Sequence, residues 1–217
     1  LGARRRAARA TGLRLRGGRL EAVETDQGEI PCQAAVLAAG AWSARLAAQA
    51  GDRVCLDTER GYHVMLDLRP AHDHDGGRPA VPGPRTPTMV MDRKLIVHQM
   101  DHGLRVAGQV EIAGLQAAPD WRRAAILREH LFALYPALPR AALEAGAVSW
   151  MGRRPSTPDG LPCIGPASAS PDVIHAYGHG HVGLTGSART GRVVAQLLAG
   201  QAPEIDLAPF SPQRWRG

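Results

Sequence analysis

The sequence predicts a mixed α/β (α+β) fold in which parts of a strand–helix domain enclose an antiparallel-sheet domain. Three observations carry that expectation. Residues 173–177 form an apolar run that leads into a glycine-rich turn and then a helical pattern. Residues 34–38 form a second run of small apolar residues, which stops at Gly40. Between the two lie several short alternating segments punctuated by turn residues, as an antiparallel sheet requires.

Residues 1–51 read first as a β-meander. Leu13 to Arg16 alternates, Gly17-Gly18 turns, Leu20 to Thr25 alternates again, and Asp26-Gln27-Gly28 turns before Glu29 to Cys32. Residues 34–38 are expected as a strand buried on both faces, with Ser43 as the N-cap of a short helix ending before Gly51. In 52–150, strands are expected at 62–66, 89–91, 95–97 and 104–107, with turns at 92–94 and at His102-Gly103. Residues 70–87, rich in Pro, Gly, Asp and His, read as a surface loop. Pro119-Asp120 opens a helix through about Tyr135, with Trp121, Ala125, Leu131 and Tyr135 among its buried candidates; Pro136 and Pro139 end it. In 151–217 a turn at 157–160 precedes a short segment at 161–165, the 173–177 strand, the glycine turn and a helix closed by Gly200. On that helix Leu184, Ala188, Gly191, Ala195 and Leu198 recur at spacings of four and three, so they are expected to share one face and lie close to a sheet.

Composition narrows the function classes. With 44% hydrophobic and 21% charged residues, the chain is globular rather than disordered. The net charge of +6 is carried mainly by arginine. Its one dense cluster, Arg4, Arg5, Arg6 and Arg9, has no interleaved aromatic residue, so it reads as a solvated face and no nucleic-acid partner is expected. Three cysteines, Cys32, Cys55 and Cys163, without C-x-x-C spacing argue against a disulfide framework or zinc site and suit a reducing compartment. The stretches 30–44 and 173–188 lack Asp, Glu, Lys and Arg but fall short of the roughly 18 residues a spanning helix needs. No integral membrane segment and no signal peptide are expected. Because the first residue is Leu1 rather than Met, the chain reads as a piece of something longer.

Gly178, Gly180 and Gly183 spell G-x-G-x-x-G between a strand and a helix. A dinucleotide fingerprint also needs a second parallel strand ending in an acid about 20 residues on. Here Gly200 leads into a proline-containing tail, where Glu204 and Asp206 lie at about that distance. The motif is therefore not expected to grip a pyrophosphate. It does provide a helix N-terminus whose unpaired backbone N–H groups and positive partial charge suit an anion.

Four stretches occur in a telling order. They are Ala38-Ala39-Gly40-Ala41-Trp42-Ser43, Arg60-Gly61-Tyr62, the segment from Trp150 through Gly152-Arg153-Arg154-Pro155 and Thr157-Pro158-Asp159-Gly160 to Pro162, and the run from Gly178 to Thr185. Together they resemble the C-terminal half of the D-amino-acid oxidase/dehydrogenase family of FAD-dependent oxidoreductases, nearest in character to bacterial D-amino-acid dehydrogenases. The resemblance covers nearly the whole chain. It implies FAD as cofactor, an amino-acid substrate, and a Rossmann-like FAD-binding domain interleaved with a substrate domain. In that family the G-x-G-x-x-G unit that grips the FAD pyrophosphate precedes everything present here, so that N-terminal unit is absent. The implied organisation is 1–51 as later strands of the FAD-binding domain, 52–150 as the substrate domain, and 151–217 as the return with the flavin-ring loop and closing helix.

The resemblance assigns Arg154, the arginine of G-x-R-P, to the substrate carboxylate. A guanidinium suits that task because its planar fork makes two parallel hydrogen bonds that Lys cannot reproduce. The alternative for Arg154 is a surface arginine or structural ion pair; Arg153 falls with the cofactor-binding positions. Gly180, His181, Val182, Gly183, Leu184 and Thr185 are implied to face the pyrimidine edge of the flavin, where the helix N-terminus offsets negative charge. His179 and His181 form H-x-H without a third ligand, so shape and hydrogen bonding are expected of them, and no metal. Ala39, Gly40 and Ala41 either admit the cofactor to the strand end or serve tight helix–strand packing. Tyr62 either lines the pocket through its hydroxyl or is an ordinary half-buried sheet tyrosine. His72-Asp73-His74-Asp75 has metal-like spacing within what reads as a solvated loop.

The expected activity is oxidation of the Cα–N bond of an amino acid by hydride transfer to FAD, giving an imine and then a 2-oxo acid. The expected location is cytoplasmic or peripheral to the inner membrane. Two other readings stand beside it: a catalytically silent fragment or subunit completed by a separate FAD-binding chain, and a nicotinamide-binding enzyme that uses the glycine turn directly.

Overall fold

The structure, a computed structural model, describes residues 2–66, 83, 84, 86–101 and 103–215. Most of the expected loop at 70–87, with His72, Asp73, His74 and Asp75, and the His102 part of an expected turn lie outside the described residues. The chain divides into two units, Leu1–Thr58 with Arg154–Gly217, and Glu59–Arg153.

In the first unit β1 (Ala10–Arg16), β2 (Arg19–Thr25) and β3 (Gly28–Pro31) form an antiparallel meander in that order. The β1–β2 turn uses Gly17 and Gly18 at φ 55° and 76°, a left-handed pair that glycine adopts without strain. β4 (Ala35–Leu37) then leads through a 3-10 turn, Gly40–Trp42, into α1 (Ser43–Gln49). Ser43 opens α1 and Trp42 holds the N-cap position, so the expected Ser43 cap is not made. The 3-10 turn advances the chain into helical geometry before Ser43 is reached.

The second unit holds most of β5 (Asp57–Leu66), then β6 (Thr88–Val90), β7 (Leu95–Met100), β8 (Gly103–Ile112), α2 (Arg122–Leu134), α3 (Arg140–Gly146) and most of β9 (Ala147–Ser156). The five strands form one sheet in the order β6-β7-β8-β5-β9. Strand alternation sends Tyr62, Val64, Leu66, Leu95, Val97, Leu104 and Val106 to one face, where they pack with Ala124, Leu127, Leu131 and Phe132 of α2. Each large apolar side chain buried there contributes roughly 1.5–3 kcal/mol. The opposite face carries His63, Met65, Ile96, His98, Arg105 and Ala107, all half-buried. Among the buried candidates for α2, Leu131 is buried, but Trp121 precedes the helix and is 49% exposed. The sequence pattern predicts neither α3 nor the full β9. α3 follows directly on Pro139, which suits a helix start as well as a helix end, and β9 runs through Gly152 and Pro155, both poor strand formers.

The chain returns to the first unit with β10 (Cys163–Pro166), β11 (Val173–Tyr177), a 3-10 turn at Gly180–Val182, α4 (Gly183–Leu198) and a 3-10 turn at Ala208–Phe210. β11 pairs antiparallel with β10 and parallel with β4, giving the order β10-β11-β4. β4 is thus an edge of this sheet: Leu37 is buried but Val36 is 38% exposed, against the expected burial on both faces. The core of this unit joins Leu20, Leu37, Leu46, Ala47, Ala50, Cys163, Ala167, Val173 and Tyr177. α4 buries Val193 and Val194, while Leu184, Ala188, Gly191, Ala195 and Leu198 are all exposed, Leu184 at 92%. The small-residue stripe therefore does not pack on the sheet as expected. Ala188, Gly191 and Ala195 at the middle of the stripe offer little apolar area to bury, and the helix turns Val193 and Val194 inward instead. The class is the mixed α/β one predicted.

Candidate functional site

Two strands of the first unit end alike. β4 is followed by Gly40 (φ 57°), a 3-10 turn and α1; β11 is followed by Gly178 (φ 86°), Gly180 (φ 52°), a 3-10 turn and α4. Because β4 and β11 are parallel, both helices start at the carboxyl-terminal edge of the sheet, where open α/β sheets bind ligands. An L-residue held in this left-handed conformation costs about 1–2 kcal/mol, which explains the glycines. Ground beside them is open: a Cβ placed on Gly40 meets nothing within 4 Å.

The end of β9 lies against the glycine turn. A Cβ on Gly178 would lie 3.1 Å from Thr157 Cγ2, and one on Gly180 would lie 3.6 Å from Ser156 Oγ. Arg154 and Ser156 are two apart on β9, so strand alternation puts them on the same side. Arg154 is therefore carried on the side of β9 that meets the turn. Its Nη1 is shielded from solvent, and so is Ser156 Oγ, which has no hydrogen-bond partner. Arg153, one residue earlier, donates from Nε to the Leu115 carbonyl at 3.1 Å within the second unit.

The motif after β9 is a clamped turn. Thr157 Oγ1 donates to the Leu161 carbonyl at 2.7 Å, the Leu161 N–H donates to Asp159 Oδ1 at 3.1 Å, and Gly160 takes φ 71°. Arg214 forks onto Asp159 at 2.7 and 3.1 Å and reaches the Leu161 carbonyl at 2.7 Å. Those bonds hold the Asp159 carboxyl well below its ordinary range.

At the start of α4, Val182 offers no side-chain cap and the first turn carries no acid, so the N–H groups keep their positive partial charge. His181, Val182, Leu184 and Thr185 are exposed there, and Gly180 and Gly183 half-buried. His179 pairs through Nε2 with Thr190 Oγ1 at 2.9 Å. It folds over the helix, where Cβ atoms on Gly183 and Gly186 would lie 3.2 and 3.9 Å from its side chain. Burial lowers its pKa, so it is a neutral spacer. At the β4 turn Ala39 is exposed, Gly40 half-buried and Ala41 buried.

Sequence reasoning missed the polar chain beneath the turn. His175 donates from Nε2 to Asp52 Oδ2 at 3.0 Å and accepts at Nδ1 from the Tyr177 hydroxyl at 3.0 Å. Asp52 also accepts from the Ser168 N–H at 2.9 Å and its Oγ at 2.5 Å. Burial lowers the His175 pKa more than Asp52 raises it. For Asp52 burial works upward, but the bonds from Ser168 and His175 outweigh it and leave the carboxyl low. The pair is an ionised carboxylate with a neutral imidazole. Tyr177, its last member, directly precedes Gly178. Burial pushes the nearby Cys163 thiol up to about 11. The only sequence signal is parity, which sets His175 and Tyr177 on the same side of β11 as buried Val173.

In the second unit Tyr62 is 1% exposed. Its hydroxyl donates to Glu111 Oε2 at 2.6 Å and accepts from the Asp120 N–H at 3.0 Å. Arg60, fully buried, pairs through Nε with Glu111 at 3.2 Å and donates to the Ala117 and Ala118 carbonyls at 2.9 and 2.7 Å. Among the described residues no group of three His, Cys, Asp or Glu side chains converges as a metal site, and no helix is long and apolar enough to cross a membrane.

A unit with one parallel strand pair and two glycine-led helix starts, interrupted in sequence by an antiparallel-sheet unit, defines the class: a mixed α/β fold. Residues 1–197 match the DAO family, described as FAD dependent oxidoreductase, and the chain belongs to that family. A D-amino-acid oxidase of Bradyrhizobium diazoefficiens is 57% identical over 208 residues, covering 96% of this chain and 47% of that protein. A D-amino acid dehydrogenase of the same organism is 33% identical over 199 residues, covering 92% of this chain and 44% of that protein. The crystal structure of glycine oxidase from Geobacillus kaustophilus superimposes with a TM-score of 0.78 at 25% identity, over 97% of this chain and 53% of that one. The chain spans about half the length of these relatives. FAD is the family's cofactor, and the open glycine positions and uncapped helix start fit its ring end. They do not fit a pyrophosphate grip, because among the described residues no strand follows α4.

Proposed function

We propose that this chain supplies the flavin-ring and substrate-carboxylate part of an FAD-dependent oxidoreductase that oxidises the Cα–N bond of an amino acid of the D series. The observation that carries the reading is the join between β9 and the glycine turn. Ser156 beside Gly180 brings Arg154, on the same side of the strand, toward an uncapped helix start. The names of the two Bradyrhizobium relatives support the D series.

FAD, when bound, supplies the two-electron acceptor for the hydrogen that leaves Cα with its electron pair. Arg154 forks onto the α-carboxylate and so fixes where that hydrogen points. The lone pair of the neutral amine forms the C=N bond as the hydrogen departs, so no side-chain base is required. Water then adds to the imine carbon and ammonia leaves, giving the 2-oxo acid. Backbone N–H groups from Gly180 to Thr185 would hold the ring end of FAD and would offset negative charge that develops on it. Gly40, with Ala39 and Ala41, leaves the end of β4 open to the cofactor. His179 and His181 shape the loop, and Asp52, His175 and Tyr177 anchor the strand that delivers it. Arg153 is tied through its Nε to the Leu115 carbonyl. Tyr62 belongs to the Arg60–Glu111 network rather than to the pocket, because its hydroxyl is already engaged. The FAD pyrophosphate is gripped by residues other than these, from the same polypeptide or a separate FAD-binding half.

The test is Arg154→Lys in the FAD-loaded enzyme. The loss of kcat/KM on D-amino acids should correspond to about 2–4 kcal/mol, as for a truncated charge-assisted fork. An unaltered kcat/KM would remove Arg154 from the carboxylate. The reading of a silent part is separated by absorbance: this chain, alone or with its FAD-binding half, either acquires the flavin bands on reconstitution or stays colourless.

A further inference from the structure

Residues 207–215, which follow α4 in sequence, carry two adjacent side chains that reach the glycine turn by separate routes. Arg214 donates from Nε and Nη2 to the two Asp159 oxygens at 2.7 and 3.1 Å, and from Nη2 to the Leu161 carbonyl at 2.7 Å. Its Nη1 donates to the Ser211 carbonyl at 3.0 Å. The guanidinium carbon lies 3.6 Å from the centroid of the Trp215 ring, and Trp215 packs on the core of the first unit. Pro212 braces the same segment against β10, where a Cβ on Gly165 would lie 3.5 Å from its Cδ. Arg214 therefore presents a fixed planar fork rather than a mobile charge.

The first route runs through the turn after β9. The Leu161 carbonyl that accepts from Arg214 also accepts from Thr157 Oγ1 at 2.7 Å. Thr157 Cγ2 is the atom nearest to a Cβ placed on Gly178, at 3.1 Å. The second route starts one residue earlier. Gln213 donates from Nε2 to Ser168 Oγ at 2.9 Å, and that hydroxyl donates to Asp52 Oδ1 at 2.5 Å. From Asp52 the bonds pass through His175 to Tyr177, the residue before Gly178. Both routes thus end on Gly178. All of these residues lie in the first unit, as do Arg154 and α4. An exposed ion pair by itself contributes little to stability. Here the Asp159 carboxylate belongs to a clamped turn, and what the fork supplies is the geometry of that turn.

We propose that Arg214 is a positioning residue for the flavin-ring site and that Gln213 is its second arm, the two setting the backbone of Gly178–Gly183 from both sides. The proposal rests on the reading that this turn meets the ring end of FAD, and adds the residues that fix it there. Backbone N–H groups offset a developing charge only when they are held in place beforehand. A turn with glycine at 178, 180 and 183 has little stiffness of its own, so the stiffness must come from what packs against it.

The experiment follows amide hydrogen exchange by NMR in this chain and its Arg214→Gln variant, without cofactor. The Val182 N–H, bonded to the His179 carbonyl at 3.1 Å, should exchange roughly 10-fold faster or more, as for lost bonds to a charged group. Amides of the β1–β2 pair should keep their rates. An unaltered Val182 amide, or equal acceleration in β1 and β2, overturns the proposal. Asp159→Asn weakens the fork while leaving Arg214 in place, should give the same pattern, and decides the matter if Arg214→Gln does not fold. In the FAD-loaded enzyme the flavin midpoint potential of Arg214→Gln should move to more negative values, because displaced N–H groups stabilise the reduced ring less. A faster Val182 amide beside an unaltered potential supports Arg214 as the anchor of the turn and overturns the reading that the turn meets the ring.

Discussion

Each unit buries a polar network, and the two are built on different principles. In the second unit a full cation, Arg60, meets a full anion, Glu111, and also donates to the Tyr62 hydroxyl and two carbonyls. In the first unit the anion Asp52 accepts hydrogen bonds from the neutral donors Ser168 and His175, and His175 passes the chain on to Tyr177. The difference teaches where each unit is vulnerable. A charge pair fails when one partner is removed, whereas a carboxylate held by a neutral imidazole also fails when the imidazole gains a proton.

The largest effect should therefore come from the second unit. Glu111→Ala leaves Arg60 buried without its counter-charge, and breaking a buried pair in this way costs roughly 3–5 kcal/mol. Urea unfolding followed by circular dichroism measures it. Carbonyl bonds from Ala117 and Ala118 remain in the variant, so a loss under about 1 kcal/mol would mean that they, not Glu111, neutralise the guanidinium.

Asp52→Ala is the matching break in the first unit. It strands the donors of Ser168 and His175, at roughly 1–3 kcal/mol. Its pH behaviour separates the networks more sharply. His175 has a folded pKa below its ordinary 6.5. The unfolded chain therefore takes up a proton first, and stability present above that value declines as pH falls below it. Asp52, also low in the folded state, adds loss of the same sign from its ordinary 3.8 downward. Thermal unfolding from pH 7 to 5 should show the decline in the native protein, and His175→Gln should flatten it. A decline that persists unchanged in the variant would place the sensitivity on another group.

Most of the fold was legible because it rests on local patterning. Alternation with Gly17-Gly18 and Gly28 gives the meander, and the apolar run before Gly178 gives β11 and the start of α4. What stayed hidden depends on partners distant in sequence. His175 and Asp52 stand 123 positions apart, and no spacing rule joins them. The α4 stripe misled because small residues at helical spacing are compatible with close packing but do not demand it. In the site, the glycine turn and the Arg154 motif were readable as motifs, yet their meeting through Ser156 and Thr157 was not. Parity held the missed signal in β5: Thr58, Arg60 and Tyr62 alternate inward, which marks Arg60 as buried and His63 as facing the other way.

The smallest effect asks whether the network beneath β11 stiffens its glycine turn. Gly40 and Gly178 both need positive φ, and an alanine at either should cost about 1–2 kcal/mol from strain. Gly40 has open surroundings, so Gly40→Ala can relax by a small backbone shift. Gly178→Ala meets Thr157 Cγ2 at 3.1 Å, and the preceding residue, Tyr177, is pinned through His175 to Asp52. The Gly178 variant should thus lose more stability than the Gly40 variant. Adding Tyr177→Phe should reduce its penalty, because the strand end is then free to move, with a coupling of roughly 0.5–1 kcal/mol in a double-mutant cycle. Strict additivity would show that the Asp52–His175–Tyr177 chain stabilises the core without steering the turn, and the anchoring role given to it would have to pass to the Thr157 contact alone.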